Sequence, residues 1–404
     1  MNTVVDINTE ELKASAPIIP YIKTFYRDKI TITKENNNVA FASCIFHDED
    51  TASLAFYANG TYKCFGCGEH GDLITLVQKI ENVDFHSACE IIANNVGYKL
   101  NYVQVNENWE KYKDELDKHT RRYWANLQNN VEALNYLINT RKISPEIINI
   151  FRLGFTDQNE YRYRKDMENI SSKLVFPILE HRRINPKCIG MAYRSLRDEK
   201  PKYINDHNQT GSSNQDPNLS GVFIKGNTLY GLAQSYKGIS TNNFIIVTEG
   251  YFDVISMHQS GFTNTVGIMG TSFTKEQINT IKRLTDNVIL MLDNDVAGIT
   301  SMKKAIIELM KVGIRPLIFM NNKYKDPDEM CKAFEHDHYK ILSFIKCNLI
   351  DGIGYVIHDI IYNHKETIVK ERIKAFTEAS KIISLIQDSY QKEAYTIELK
   401  KELY

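Results

Sequence analysis

The sequence predicts a multidomain α/β protein, and three observations carry that reading. The chain has 404 residues, too many for one ordinary core. Its first hundred residues hold a Cys/His cluster around an Asn-Gly turn. From residue 243, short apolar runs alternate with helical patterns, the texture of a parallel sheet covered on both faces. Four regions follow: 1–103, 104–240, 241–335 and 336–404.

In the first region, Cys44-Ile-Phe-His47 is separated by sixteen residues from Cys64-Phe-Gly-Cys67. Three thiolates and one imidazole make the closed tetrahedral set of a structural zinc ion. Asn59-Gly60 lies between β-prone runs, a strong hairpin signal. The hairpin carries one ligand pair back to the other, as in a zinc ribbon. His70 is surplus to a four-ligand set and is expected at the surface. Two helices follow, one starting at Gly71-Asp72 with Leu73, Leu76, Val77 and Ile80 on its apolar face, and one capped by Asp84.

The highly charged stretch 104–120 is expected to be a linker running into a helix, and 121–150 reads as helical. From 151 to 240 the pattern is mixed α+β, with short strands and polar loops, 206–220 above all. Between 171 and 205 eight Lys or Arg stand against three acids, with Tyr193 and Tyr203 interleaved. Formal net charge over the chain is −1, so any nucleic-acid surface must be local. A basic groove with aromatics suits a single strand.

Four runs, FIIVT, TVGIM, VILML and RPLIFM, are expected as strands, with helices near 252–260, 274–284 and 297–312. Glu249 and Asp253 follow the first run, Asp293 and Asp295 the third, and Asp326 and Asp328 the fourth. Open parallel sheets bind ligands beyond the carboxyl ends of their strands. Carboxylates gathered there repel one another unless cations lie between them, and Mg²⁺ suits such oxygens together with water and phosphates. After about 335 the chain is expected to be helical to its end. The seven cysteines are odd in number and mostly isolated, which does not look like a disulfide framework. Cys89, Cys188, Cys331 and Cys347 are expected to be buried. No signal peptide and no apolar run near ~18 residues is found, so no membrane role is expected.

In this order the motifs resemble the DnaG-type bacterial and phage primases. CIFHDEDTASLAFYANGTYKCFGCGEHGDLITLV is similar to their zinc-binding domain. KLVFPI, GMAYR, PKYIN and FIKGNTLYGL are similar to blocks of their RNA polymerase core, and VTEGYFDV, GIMGTSF, LDNDVAG and DPDE to its TOPRIM portion. The resemblance covers about residues 20–335. It implies primer synthesis on single-stranded DNA from ribonucleoside triphosphates, with zinc held by Cys44, His47, Cys64 and Cys67. Glu249 would be the catalytic acid, acting with Asp293 and Asp295. Glu249, Asp253, Asp293, Asp295, Asp326 and Asp328 would hold or organise Mg²⁺, with Mn²⁺ as an alternative. Arg194, Lys202 and Lys225 would line the template or nucleotide path. The family usually has Gly at position 294, a basic residue at 296 and Arg at 227; here stand Asn294, Val296 and Asn227. A replicative helicase is the implied partner, although the roughly 70 residues after the acidic motifs leave little room for the usual docking domain. The implied location is the cytoplasm of a bacterium or of a phage host. TOPRIM motifs also occur in topoisomerases and nucleases, and a non-catalytic replication adaptor is a third class.

Overall fold

A computed structural model describes residues 3–6, 9–81, 83, 85–99, 101–104, 107–158, 170–181, 186–197, 201–206, 222–270, 273–364, 369–386 and 388–403. The expected Asp84 cap, the basic residues Arg182, Arg183 and Lys200, and the polar loop beyond Asp206 lie outside them. The chain forms two compact units, Met1–Asn106 and Glu107–Tyr404.

The first unit is built on an antiparallel sheet of five strands in sequential order, Ile32–Glu35, Val39–Ala42, Leu54–Tyr57, Thr61–Cys64 and His70–Asp72. The Asn59-Gly60 turn closes the expected hairpin. Gly60 takes φ +89°, a conformation that costs other residues dearly, and the Asn59 carboxamide accepts from the Thr61 N–H at 3.1 Å. That fixes the register with Leu54 opposite Cys64 and Phe56 opposite Tyr62. Alternation then sends Leu54, Phe56, Tyr62 and Cys64 inward. The helices Leu73–Glu81 and Phe85–Val96 cover this face with Leu73, Leu76, Val77, Cys89 and Ile92. Asp72 accepts from the Thr75 N–H at 3.0 Å and so starts the first of them.

The second unit opens with the helix Glu107–Gln128, which occupies the stretch expected as a linker. Charge hides its apolar stripe, Leu116, Tyr123 and Leu127, all buried. A four-stranded antiparallel sheet follows, in the order Tyr203–Asn205, Cys188–Ser195, Lys173–Leu179, Gly154–Phe155.

The second sheet of this unit has the order Thr265–Gly267, Ile245–Thr248, Val288–Leu290, Leu317–Phe319, Leu349–Asp351. The first four strands are parallel, as expected from the four apolar runs. The fifth pairs antiparallel with Leu317–Phe319 and corrects the expectation of helix throughout the tail. Every residue of Ile245–Thr248 is buried, the mark of a strand covered on both faces. Ile245, Val247, Leu290 and Ile318 share one core with Ile306 and Leu309 and with Ile353, Val356, Ala375 and Ala379 of the C-terminal helices. Ile246, Met291 and Phe319 pack on the other side with Met257, Met330 and Ile341. The helix Tyr251–Gln259 is buried from Tyr251 to His258. Its Tyr251, Phe252, Val254 and Ile255 join the core of the antiparallel sheet through Phe176 and Ala192. Both sheets therefore converge on the segment carrying Glu249 and Asp253. Cys89, Cys188 and Cys331 are buried as expected, whereas Cys347, at the end of the helix His338–Cys347, is exposed.

Candidate metal centre and candidate active site

In the first unit, Cys44, His47, Cys64 and Cys67 present ligand atoms all within 4.8 Å of one another. Cys44 Sγ lies 3.9 Å from Cys67 Sγ, and Cys64 Sγ lies 3.8 Å from His47 Nδ1. Tetrahedral zinc with Zn–S near 2.3 Å requires edges of about 3.8 Å, so the donor set fits the ion. His70 is exposed, with its ring against Gly68 O.

One residue of this centre escaped the sequence reading. Glu49 Oε2 sits 3.3 Å from His47 Nε2, while its Oε1 accepts from the N–H groups of Cys44 at 2.7 Å and Ser53 at 2.9 Å. The carboxylate thus fixes the imidazole so that Nδ1 faces the thiols, the usual outer support of a zinc histidine. The Ser53 hydroxyl, donating to Glu49, holds the Glu49 carboxyl below the usual range. Burial works against charge on Cys64, but the Ser53 hydroxyl and the Cys67 N–H outweigh it and draw that thiol down to about 6.

In the second unit the parallel strands deliver the carboxylates. Glu249 follows Ile245–Thr248, and its Oε1 accepts the Asp293 N–H at 3.2 Å. Asp295 caps the helix Val296–Lys311, accepting from Gly298 N at 2.9 Å. Asp326 caps Pro327–Ala333, accepting from Glu329 N at 2.8 Å. Burial first, then the charges of Asp293 and Asp295, push the Glu249 carboxyl up to about 7. Burial and Asp326 likewise raise Asp293, against the pull of Lys325. Among the described residues no three of these carboxylates bring oxygens within 4.8 Å of one another. An open set of hard oxygens suits an ion that keeps water and takes up phosphate.

Asp253 and Asp328 are placed differently. Asp253 is 6% exposed and accepts from Gly250 N at 2.8 Å and Asp328 N at 3.2 Å. Burial, then Asp326 and Asp293, push its carboxyl far above the ordinary range. Asp328 is 4% exposed. Its Oδ2 pairs with Arg141 at 2.7 Å and Lys332 at 2.9 Å, and its Oδ1 accepts from Ser256 at 2.6 Å. Both carboxylates brace the crevice from beneath.

Cations face the acids. The Lys202 ammonium is lowered by burial and then by Arg194, Arg141 and Lys325, with Asp326 acting the other way. Arg141 and Lys325 are additions that sequence reasoning missed. Arg194 is half-buried, and its Nη1 donates to Tyr203 Oη at 2.9 Å. Lys225 stands apart, in the turn Lys225–Asn227, its ammonium lowered by burial alone. Asn294 ties two acidic loops together: its N–H donates to Lys325 O at 2.9 Å and its Nδ2 to Asn321 O. Val296 is 83% exposed beside Asp295.

Residues 6–108 match the CHC2 zinc finger family, and residues 246–331 match the Toprim-like family. The DNA primase of Aquifex aeolicus is 28% identical over 395 residues, covering 91% of this chain and 73% of that protein. The DNA primase of Clostridium acetobutylicum is 28% identical over 380 residues, covering 85% of this chain and 60% of that protein. Among solved structures, the zinc-binding and RNA polymerase domains of the Aquifex aeolicus primase superpose with a TM-score of 0.58 at 26% identity, covering 97% of this chain and 96% of that one. A DnaG primase catalytic domain bound to single-stranded DNA shares the fold at a TM-score of 0.60 and 21% identity, over 74% of this chain and 99% of that one.

Proposed function

We propose, from the premise that this chain belongs to the DnaG-type primase family, that it makes short RNA primers on single-stranded DNA by metal-dependent nucleotidyl transfer. One observation carries the reading beyond family membership. Glu249, Asp293, Asp295 and Asp326 stand at successive ends of a parallel sheet opposite Arg141, Arg194, Lys202 and Lys325. Such a crevice can hold a triphosphate between cations and metal-binding oxygens.

In the reaction the 3′-hydroxyl of one ribonucleotide attacks the α-phosphate of the next, and pyrophosphate leaves. Bound Mg²⁺ would supply charge neutralisation at the attacking and leaving oxygens. Glu249, Asp293, Asp295 and Asp326 would hold it, and Asp253 and Asp328 would keep those loops in place. Arg194 and Lys202 would bind phosphates of template or nucleotide, with Lys225 as an outlying contact. Positioning then supplies much of the rate. Cys44, His47, Cys64 and Cys67 would hold a structural zinc ion, and the ribbon would help select the start site. We assign single-stranded DNA, ribonucleoside triphosphates and a replicative helicase as partners, and the cytoplasm as the location. Among the described residues no helix is long and apolar enough to cross a membrane.

The test is primer synthesis with pure protein, single-stranded DNA, four ribonucleotides and Mg²⁺ or Mn²⁺, beside an Asp293→Ala/Asp295→Ala control. Template-dependent RNA that the control lacks is the expected result. Metal-dependent loss of the DNA without RNA would point instead to a nuclease. DNA binding with neither product would leave an adaptor.

A further inference from the structure

One aromatic side chain meets two of the cations that face the acids. Phe252 is the second residue of Tyr251–Gln259, three positions beyond Glu249, and is 4% exposed. The guanidinium carbon of Arg141 lies 4.0 Å from its ring centroid and that of Arg194 lies 5.0 Å away. Both distances are within the range where a cation is attracted to an aromatic face. Two cations at one ring repel each other, so each needs a further restraint.

Arg141 has one. Asp328 pairs with its Nη1 at 2.7 Å, and its Nε donates to Tyr136 Oη at 3.0 Å. Arg194 is held differently. Its Nη1 donates to Tyr203 Oη at 2.9 Å, and Tyr203 also offers a ring face 5.3 Å from the guanidinium carbon. Its Nε is buried and meets no acceptor. Among the described residues no carboxylate pairs with it. A desolvated guanidinium donor without a partner is costly, and the guanidinium fork matches a phosphate or carboxylate acceptor.

We propose that Phe252 is a positioning residue, whose ring, braced by the Asp328-anchored Arg141, aims Arg194 at a phosphate group of the substrate. The inference rests on the primase reading for the identity of that substrate. The phosphate belongs either to a nucleoside triphosphate or to the template backbone. Phe252 also packs edge-on against Phe176 at 5.2 Å, so a packing role has to be separated from an electrostatic one.

Two replacements make that separation in the full-length chain. Phe252→Leu removes the ring. Pentafluorophenylalanine incorporated at 252 nearly keeps the shape but turns the negative ring face positive. Binding is read with inorganic triphosphate and with a labelled single-stranded DNA oligomer, neither of which requires synthesis. We expect one or both to weaken roughly fivefold to thirtyfold, the range from a partly to a fully desolvated cation–π contact, while the fluorinated protein keeps a cooperative thermal transition. Loss confined to triphosphate assigns Arg194 to the nucleotide, and loss confined to DNA assigns it to the template. Arg194→Met should cost at least as much, and Phe252→Leu added to it should cost nothing more, because Phe252 acts only through Arg194. Wild-type affinity in the fluorinated protein, or additive losses in the double variant, would overturn the proposal. Failure of the wild type to make RNA would count against the primase reading alone, since the binding ratios are still measured.

Discussion

Replacing Glu249 by Gln should stabilise the protein at pH 8 in buffer free of Mg²⁺ and Mn²⁺, and should do so far less at pH 5. Its carboxyl is raised from 4.5 to about 7 by burial and by the neighbouring charges of Asp293 and Asp295. A raised carboxyl means that the folded protein holds a proton the unfolded chain has lost. The favourable contribution is therefore complete below pH 4.5 and disappears as pH rises through 7. Above 7 the folded state carries a crowded anion. The span of some 2.5 pH units corresponds to at most about 3.4 kcal/mol, and solvent screening of a half-exposed group reduces this to about 1 kcal/mol. Glutamine keeps the shape and an acceptor for the Asp293 N–H but carries no charge. We expect a gain of roughly 2 °C at pH 8 for a unit of this size, and a much smaller gain at pH 5, where Glu249 is already neutral. Thermal unfolding followed by circular dichroism, with zinc retained, measures this. Added Mn²⁺ should reverse the order, stabilising the wild type more than the variant. An equal effect at both pH values would show that the Glu249 carboxyl is not raised in the folded protein.

Three further outcomes follow from the contacts. Glu49→Gln should leave one zinc per chain at saturation but weaken zinc affinity by about 10- to 100-fold, as read by competition with a chelating dye; unchanged affinity would remove Glu49 from the centre. Asp328→Ala leaves the half-buried charges of Arg141 and Lys332 without their partner and should cost about 3–5 kcal/mol, seen as a fall in melting temperature near 10 °C; a loss of Mn²⁺ binding at unchanged stability would instead make Asp328 a metal ligand. Asn294→Gly deletes the Nδ2 bond to Asn321 O while sparing the backbone bond to Lys325 O, and Mn²⁺ affinity measured by electron paramagnetic resonance should fall severalfold; a wild-type value would mean that the two loops keep their spacing without it.

The parts of this protein that were legible in sequence are those whose chemistry is local. Two ligand pairs flanking an Asn-Gly turn admit one hairpin register, so Cys44, His47, Cys64 and Cys67 could be assembled from spacing. Strand ends could be found because buried parallel strands are short continuous apolar runs; Glu249 and Asp293 follow such runs directly, and Asp326 follows the fourth run after a five-residue turn. What was missed depends on distance in the chain. Arg141 and Asp328 are 187 positions apart, and no periodicity links them. Glu49 resembles any acid in the run HDED until its oxygens are seen against His47 and Cys44. The helix Glu107–Gln128 was hidden by its charges, because three buried residues on one stripe suffice once a sheet lies beneath. Leu349–Asp351 is a strand only because Leu317–Phe319 offers it an edge, and three residues carry too little pattern to announce that.

Asp295 and Asp326 each cap a helix, and that is also the reason they can serve a metal. Each spends one oxygen on the N–H three residues ahead, which fixes its side chain and places it at the positive end of a helix, where negative charge is favoured. A second oxygen remains for a ligand. The helix ends thereby offset part of the repulsion within the acidic group, and Lys202 and Lys325 offset more. Glu249 lies just before Gly250, the cap of Tyr251–Gln259, but the Gly250 N–H is taken by Asp253 and not by Glu249. Its single contact of this kind is the Asp293 N–H at 3.2 Å, and burial acts on it without that relief. The uneven support explains why the carboxyl of Glu249, the first acid of the series, is driven up to about 7. It also makes the charge state of Glu249 sensitive to a divalent ion arriving beside it.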